Sequence, residues 1–137
     1  MQYWLLKTEP EEWSWQDQQK SGRSGAEWNG VRNYQAKNNL KKMKVGDKCF
    51  FYHTGEEKSI VGIVKVTKKA FLDKSDKSNK FLSVMVQALY PLKREVGLKE
   101  IKKNKVFRDF SLVKQSRLSV MKVDLKYWKK ICKMGNV

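Results

Sequence analysis

The sequence predicts an α+β fold: one small domain, residues 1–137, around a strongly curved or closed sheet of five or six strands, with short helices outside it. Three observations predict this. Strand-type stretches outnumber helical ones and show no βαβ rhythm. The helical patterns are short and scattered. The 137 residues, 40% of them hydrophobic and five of them Trp, suffice for one core, and no repeat or linker divides them.

Tyr3 to Glu9 reads as a strand that Pro10 ends, since proline has no N–H for a ladder. Tyr3, Leu5, Lys7 and Glu9 share one face of it. Lys7 and Glu9 then point the same way, about 7 Å apart. They could rim a pocket or form an ordinary exposed ion pair. Ser14 with Asp17 makes a short-armed capping box for a first helix, closed by Gly22. Trp13 and Trp15 flank that cap. Core is the default for large aromatics, although this position would also let them overhang a site. Ser21 to Gly25 is a polar, glycine-rich loop.

The stretch Trp28-Asn29-Gly30-Val31-Arg32-Asn33-Tyr34-Gln35-Ala36-Lys37-Asn38 is too polar for a core element. It combines an indole, a guanidinium, a phenol and four side-chain amides. Rings beside hydrogen-bonding groups suit a flat polar ligand. By composition alone the stretch is a polar connecting loop. Ala36, Leu40 and Met43 then repeat with helical spacing, which sets Arg32, Asn33 and Tyr34 at a helix N-terminus.

Lys48 to Thr54 is an aromatic-rich strand with Phe50, Tyr52 and Thr54 on one face and Cys49, Phe51 and His53 on the other. Ile60 to Val66 is apolar on both faces, as a central strand is. Asp73 to Lys80 reads as an exposed loop without a core residue. Phe81 to Tyr90 is a strand halted by Pro91. A short basic helix is expected over Leu98–Lys103, Phe107 to Phe110 is ambiguous, and Arg117 to Val123 is a last strand. Asp124 then caps a closing helix with Leu125, Trp128 and Ile131 in its apolar stripe and Gly135 at its end.

The net charge of +16 is unevenly spread. Residues 1–57 balance nine Lys and Arg against eight Asp and Glu, whereas residues 58–137 hold 21 against six. Such a surface attracts polyanions, nucleic acid above all. Only five of the 30 cations are Arg, the residue that forks onto phosphate and guanine edges, so composition points to non-specific attraction.

Most catalytic chemistry lacks its residues. There is no phosphate-cradling glycine loop and no nucleophile elbow. One His and two distant Cys make no zinc site. Cys49 and His53 share a strand face but lie about 13 Å apart, too far for a thiol–imidazole pair. No metal, no cofactor and no catalytic residue is therefore expected. Cys49 and Cys132 sit in apolar contexts and read as free thiols of a reducing compartment, so a cytoplasmic location is expected, with nucleoid association as an option. No stretch reaches the roughly 18 apolar residues of a membrane span, and the N-terminus carries no basic leader. A monomer with no membrane partner is expected.

Four segments together resemble the EVE domain: Tyr3-Trp4-Leu5-Leu6-Lys7-Thr8-Glu9-Pro10, Trp28 to Ala36, Gly46-Asp47 with Phe51-Tyr52-His53-Thr54, and Arg117-Leu118-Ser119-Val120. Their order and spacing fit, as does the Trp128 helix, so the resemblance spans nearly the whole chain. It departs in carrying Thr8 and Thr54 where the family usually has Ser, and Lys122 where it usually has Pro. Residues 56–112 are also richer in Lys than the family's usual text. The resemblance implies a PUA-like mixed β-barrel with helices outside. By analogy with the YTH readers of methylated adenosine, it implies a cleft for a modified nucleobase in DNA or RNA.

On that resemblance Trp28, and after it Trp13 or Tyr34, would stack on the base. Asn33, Thr8 and the backbone around Val31 would read its edge. Lys7, Arg32 and Arg117 would meet a phosphate or acidic group, and Tyr52, His53 and Ser119 would line the wall. Lysines of residues 58–137 would draw in the backbone. The rival is an amidohydrolase like those among the ASCH domains, which share the PUA-like fold, acting on a modified nucleoside through Lys7 and Glu9. A third reading is a polyanion-binding adaptor with a degenerate pocket.

Overall fold

A computed structural model describes residues 1–137. Its strands are β1 (Tyr3–Thr8), β2 (Ala26–Trp28), β3 (Lys48–His53), β4 (Ser59–Leu72), β5 (Leu82–Gly97) and β6 (Val120–Val123). Its helices are α1 (Trp15–Lys20), α2 (Tyr34–Lys42), α3 (Leu98–Lys103), α4 (Ser111–Lys114) and α5 (Leu125–Met134), with 3₁₀ turns at Gly22–Ser24 and Lys105–Phe107. The strands form one sheet in the order β2-β5-β4-β3-β1-β6. β1 and β3 are parallel, and every other pair is antiparallel.

The α+β class and the PUA-like architecture hold, but the expected closed barrel does not form. No pairing joins the end strands β2 and β6. They have three and four residues, too few to close a ladder. Instead α2 packs against β6 at one end of the sheet and β5 near the other, so a helix bridges the gap.

The capping box of α1 is present: Ser14 Oγ accepts from the Asp17 N–H, and the Asp17 carboxylate accepts from the Ser14 N–H. Asn33 caps α2 by accepting from the Ala36 N–H at 2.9 Å. α3 spans the expected residues. The long strands differ from expectation. β4 extends to Leu72, and β5 continues past Pro91 to Gly97. Pro91 is tolerated because the β4–β5 register shifts there, between Ile60 and Gly62, and the ring faces solvent. Residues 117–119 precede β6 and do not belong to it.

Two further corrections bear on the site. Residues 26–28 form a strand, where the sequence reading assigns Ala26 and Glu27 no element and puts Trp28 in a polar stretch. Gly25, with φ of 71°, makes this possible: a Cβ there would lie 2.5 Å from the Val86 carbonyl oxygen. Asp73, expected in an exposed loop, is buried.

β3 is buried on both faces. Phe50 stacks on Trp128 of α5 at 3.9 Å between ring centroids, and Tyr3 stacks on the same indole at 4.4 Å. On the opposite face Phe51 meets the edges of Trp15 at 5.2 Å and Trp28 at 5.5 Å. Asp47 is buried at the β3 entry and accepts from the Gln2 and Lys44 N–H groups and the Trp4 indole. No helix is long and apolar enough to cross a membrane.

Gly62 lets Trp15 lie flat against β4, since a Cβ there would meet the indole at 2.6 Å. Trp15 is held against Phe51 and cannot retreat cheaply. Gly62→Ala is expected to cost about 1–3 kcal/mol, read as a lower urea midpoint with an unchanged m-value.

Candidate functional site

β1 and β3 lie side by side in parallel with Thr8 opposite His53, and the Thr54 N–H continues the ladder onto the Thr8 carbonyl at 2.9 Å. The two strand ends named from sequence therefore do adjoin. The Thr54 hydroxyl donates to Glu9 at 3.0 Å. Beside this end opens a cleft of about 580 Å³, within the range of small-ligand sites.

The cleft brings together Lys7, Thr8, Trp13, Trp28, Val31, Arg32 and Ser119 of the expected set. Trp13 is half-buried, and its indole N–H donates to Gln18 Oε1 at 2.9 Å. Gln18 is fully buried and donates in turn to the Val86 carbonyl, which fixes the ring's plane. Trp28 lines the cleft but is only 7% exposed, so most of its ring belongs to the core against Phe51. The Thr8 hydroxyl donates to the Trp13 carbonyl at 2.9 Å. Lys7 Nζ donates to the Ser116 carbonyl at 2.9 Å, and burial lowers its pKa below the usual lysine value.

Five expected residues stand outside the cleft lining. Asn33 spends its side chain on capping α2. Tyr34 is exposed on the first turn of α2, tilted against Phe81. Tyr52 is buried beneath Lys7, whose ammonium sits 5.6 Å from its ring, and burial pushes the phenol up to about 12. His53 is buried: its Nε2 accepts from the Trp15 N–H at 3.0 Å, so Nδ1 carries the proton and donates to Glu57. His53 thus orients the start of α1. Arg117 is exposed in the turn before β6.

Sequence reasoning missed Glu12, Ala26 and Glu27 as lining residues, held Asn29 and Gly30 only as part of the Trp28–Asn38 stretch, and placed Glu9 at a possible pocket rim. A three-residue strand is too short for a periodicity signal. Its trace in the sequence is the pair of glycines, Gly25 and Gly30, that bracket it.

The wall from Gly30 to Arg32 is tied to Asp73. Its carboxylate accepts from the Gly30 N–H at 2.8 Å, Arg32 Nη1 at 2.9 Å, and the Ser75 N–H and hydroxyl at 2.8 and 2.6 Å. Arg32 Nη2 also donates to Ser75 Oγ. Burial alone would raise the Asp73 pKa. The bonds from the Ser75 hydroxyl, the Gly30 N–H, Arg32 and the Ser75 N–H outweigh it and hold the carboxyl at about 2.

The EVE domain family model matches residues 2–134. The chain belongs to the EVE domain family. Among solved structures, the EVE chain is similar to Atu2648 of Agrobacterium tumefaciens, at 42% identity and a TM-score of 0.96, covering 100% of this chain and 94% of that one. It is also similar to the human THYN1 protein, whose crystal structure is a complex with 5-methylcytosine-containing DNA. Identity there is 28% and the TM-score 0.88, covering 100% of this chain and 99% of that one. Mouse thymocyte nuclear protein 1 is 37% identical across 73% of this chain. The chain spans about half the length of the curated relatives it matches, 55% of the mouse protein.

Because the Asp73 carboxyl is held down by native hydrogen bonds, its contribution is complete above the ordinary carboxylate pKa and is lost as pH falls. Between about pH 4 and pH 2 the unfolded chain takes up the proton first. Asp73→Asn is expected to remove about 2 kcal/mol at neutral pH and to flatten the acid limb of a plot of urea midpoint against pH.

Proposed function

We propose that this EVE domain is a non-catalytic reader that takes a modified nucleobase of DNA or RNA into the cleft. The observation that carries it is an aromatic and polar cleft in a member of this family, one relative of which has been crystallised with 5-methylcytosine-containing DNA. The cleft's chemistry supports the reading. Trp13, half-buried in the lining, supplies a stacking ring held in plane by Gln18. Glu9, Glu12 and Glu27 offer carboxylates to an exocyclic amine, the group by which cytosine is distinguished. Ala26, Val31 and the Trp28 edge give a methyl substituent an apolar wall. Flipping a base out of a duplex costs a few kcal/mol, less in a single strand.

In this reading Trp28 is chiefly the floor and Trp13 the stacking ring. Thr8, Ser119 and the Val31 backbone remain candidates for the base edge, while Arg32 holds the wall through Asp73. Tyr52, His53 and Asn33 support the site from behind. The hydrolase reading rests on Lys7 and Glu9 both lining the cleft. They make no ion pair with each other: Lys7 donates to the Ser116 carbonyl, and one oxygen of Glu9 accepts from Thr54. Release of the deacylated nucleoside and the free carboxylic acid from N-acylated nucleosides, abolished by Glu9→Gln, would establish that reading instead.

Fluorescence titration with oligonucleotides matched except for one modified base tests the reader. Tighter binding of a modified strand is expected, 5-methylcytosine being the first to try. Trp13→Ala should weaken it by about 1–3 kcal/mol, roughly 5- to 150-fold. Equal affinity for every strand in a panel of modifications would refute the proposal.

A further inference from the structure

A second concavity, of about 590 Å³, lies beside the C-terminal end of α2. Five lysines line it: Lys41, Lys42 and Lys44 around the end of α2, Lys69 of β4 and Lys122 of β6. All five are exposed, none is in an ion pair, and no carboxylate is among the lining residues. The groove is built on fixed backbone. Asn39 donates to the Val120 carbonyl at 2.7 Å, binding α2 to the edge of β6. The Lys44 N–H donates to buried Asp47, which also holds the Trp4 indole.

The cleft and the groove have opposite characters. Three carboxylates and two cations line the cleft, and one of those cations, Arg32, is neutralised by Asp73. A phosphate is therefore disfavoured in the cleft and favoured in the groove. α2 joins the two, since its N-terminal end follows the Val31–Arg32 wall and its C-terminal end enters the groove. Nine residues of helix span about 13 Å. Tyr34, Lys37 and Lys41 recur at i, i+3 and i+7 along one flank of α2, beside the face that buries Ala36 and Leu40. Tyr34 is 58% exposed, and Lys37 Nζ lies 5.6 Å from its ring.

We infer that the five-lysine groove seats the phosphate backbone of the nucleic acid whose base enters the cleft, with α2 as the track between them. The inference rests on the base-reading proposal and deepens it by fixing where the backbone runs. The length of α2, about 13 Å, corresponds to about four steps along a duplex at 3.4 Å per step. Three of the five lysines come from residues 1–57, the half of the chain with almost no net charge.

The test compares the wild-type chain with Lys41→Ser, Lys42→Ser and Lys44→Ser combined. A control combines Lys126→Ser, Lys129→Ser and Lys130→Ser on α5, for the same change in net charge. Probes are a duplex with one 5-methylcytosine at its centre, the same duplex unmodified, free 5-methyl-2′-deoxycytidine, and a polyglutamate peptide. The groove variant should bind both duplexes at least tenfold more weakly at 0.1 M salt. Its plot of log affinity against log salt should be shallower by about two. The control should match wild type within about twofold. Binding of the nucleoside, which has no phosphate, reads the cleft alone. If no protein distinguishes the methylated duplex or binds the nucleoside while the groove variant still loses its salt slope, the 5-methylcytosine reading falls and the groove stands. An unchanged slope in the groove variant, an equal loss in the control, or polyglutamate bound as tightly as duplex and lost in the same way would overturn the inference.

Discussion

The buried carboxylate of Asp73 is the constraint on which the candidate site depends. The chain leaves the sheet at Trp28 and does not enter α2 until Tyr34. Between them, every hydrogen bond from residues 29–32 to a distant part of the chain ends on Asp73 or Ser75. A buried carboxylate is costly unless its oxygens are satisfied. Here four donors from two loops meet it, so the desolvation that would expel the charge is offset. The consequence is a cleft wall of irregular backbone held against the sheet without belonging to it. Arg32 is part of this tie, and Phe81 beneath its guanidinium, at 5.5 Å, extends the contact.

Behind the wall, the two faces of β3 divide the labour of the fold. Phe50 and Trp128 make a purely apolar stack on one side. On the other, Phe51 supports Trp15 and Trp28, and His53 supports the N-terminus of α1. α1 then carries Gln18, which holds Trp13 in plane. A chain of packed and hydrogen-bonded groups therefore runs from the sheet interior to the aromatic ring at the cleft. Residues such as His53 and Tyr52 matter to the site without lining it.

Much of this was legible in the sequence, for identifiable reasons. Capping residues have short-range signatures, so Ser14 and Asp17 were read at their positions, whereas Asn33 was set at the start of α2 without its capping role. The α3 range followed from Leu98 and Ile101 at helical spacing. Adjacency of the Lys7–Glu9 and Tyr52–Thr54 strand ends is a tertiary fact, which only the family resemblance implied. Three things were not legible. Asp73 sits in a polar run with the composition of a solvated loop, and its burial depends on partners 41 and 43 residues away. β2 is too short to alternate visibly. The groove lysines belong to three separate elements and straddle the division used to count charge, so no window along the chain contains the patch. Arg117 was misplaced because Arg117 to Val123 reads as one strand, whereas backbone pairing begins only near Ser119, whose carbonyl accepts from the Lys7 N–H.

The central claim is that a base enters the cleft between Trp13 and the Gly30–Arg32 wall. The five indole N–H resonances of the chain test it most directly, since each Trp reports on a different place. On adding an oligonucleotide with one 5-methylcytosine, large shifts are expected for Trp13 and Trp28. Trp15 and Trp128, packed in the core, should stay within a fraction of those shifts. The same strand unmodified should move Trp13 far less. Indole shifts that are equal for the two strands, or absent at Trp13 while the lysine amides around the end of α2 respond, would contradict it.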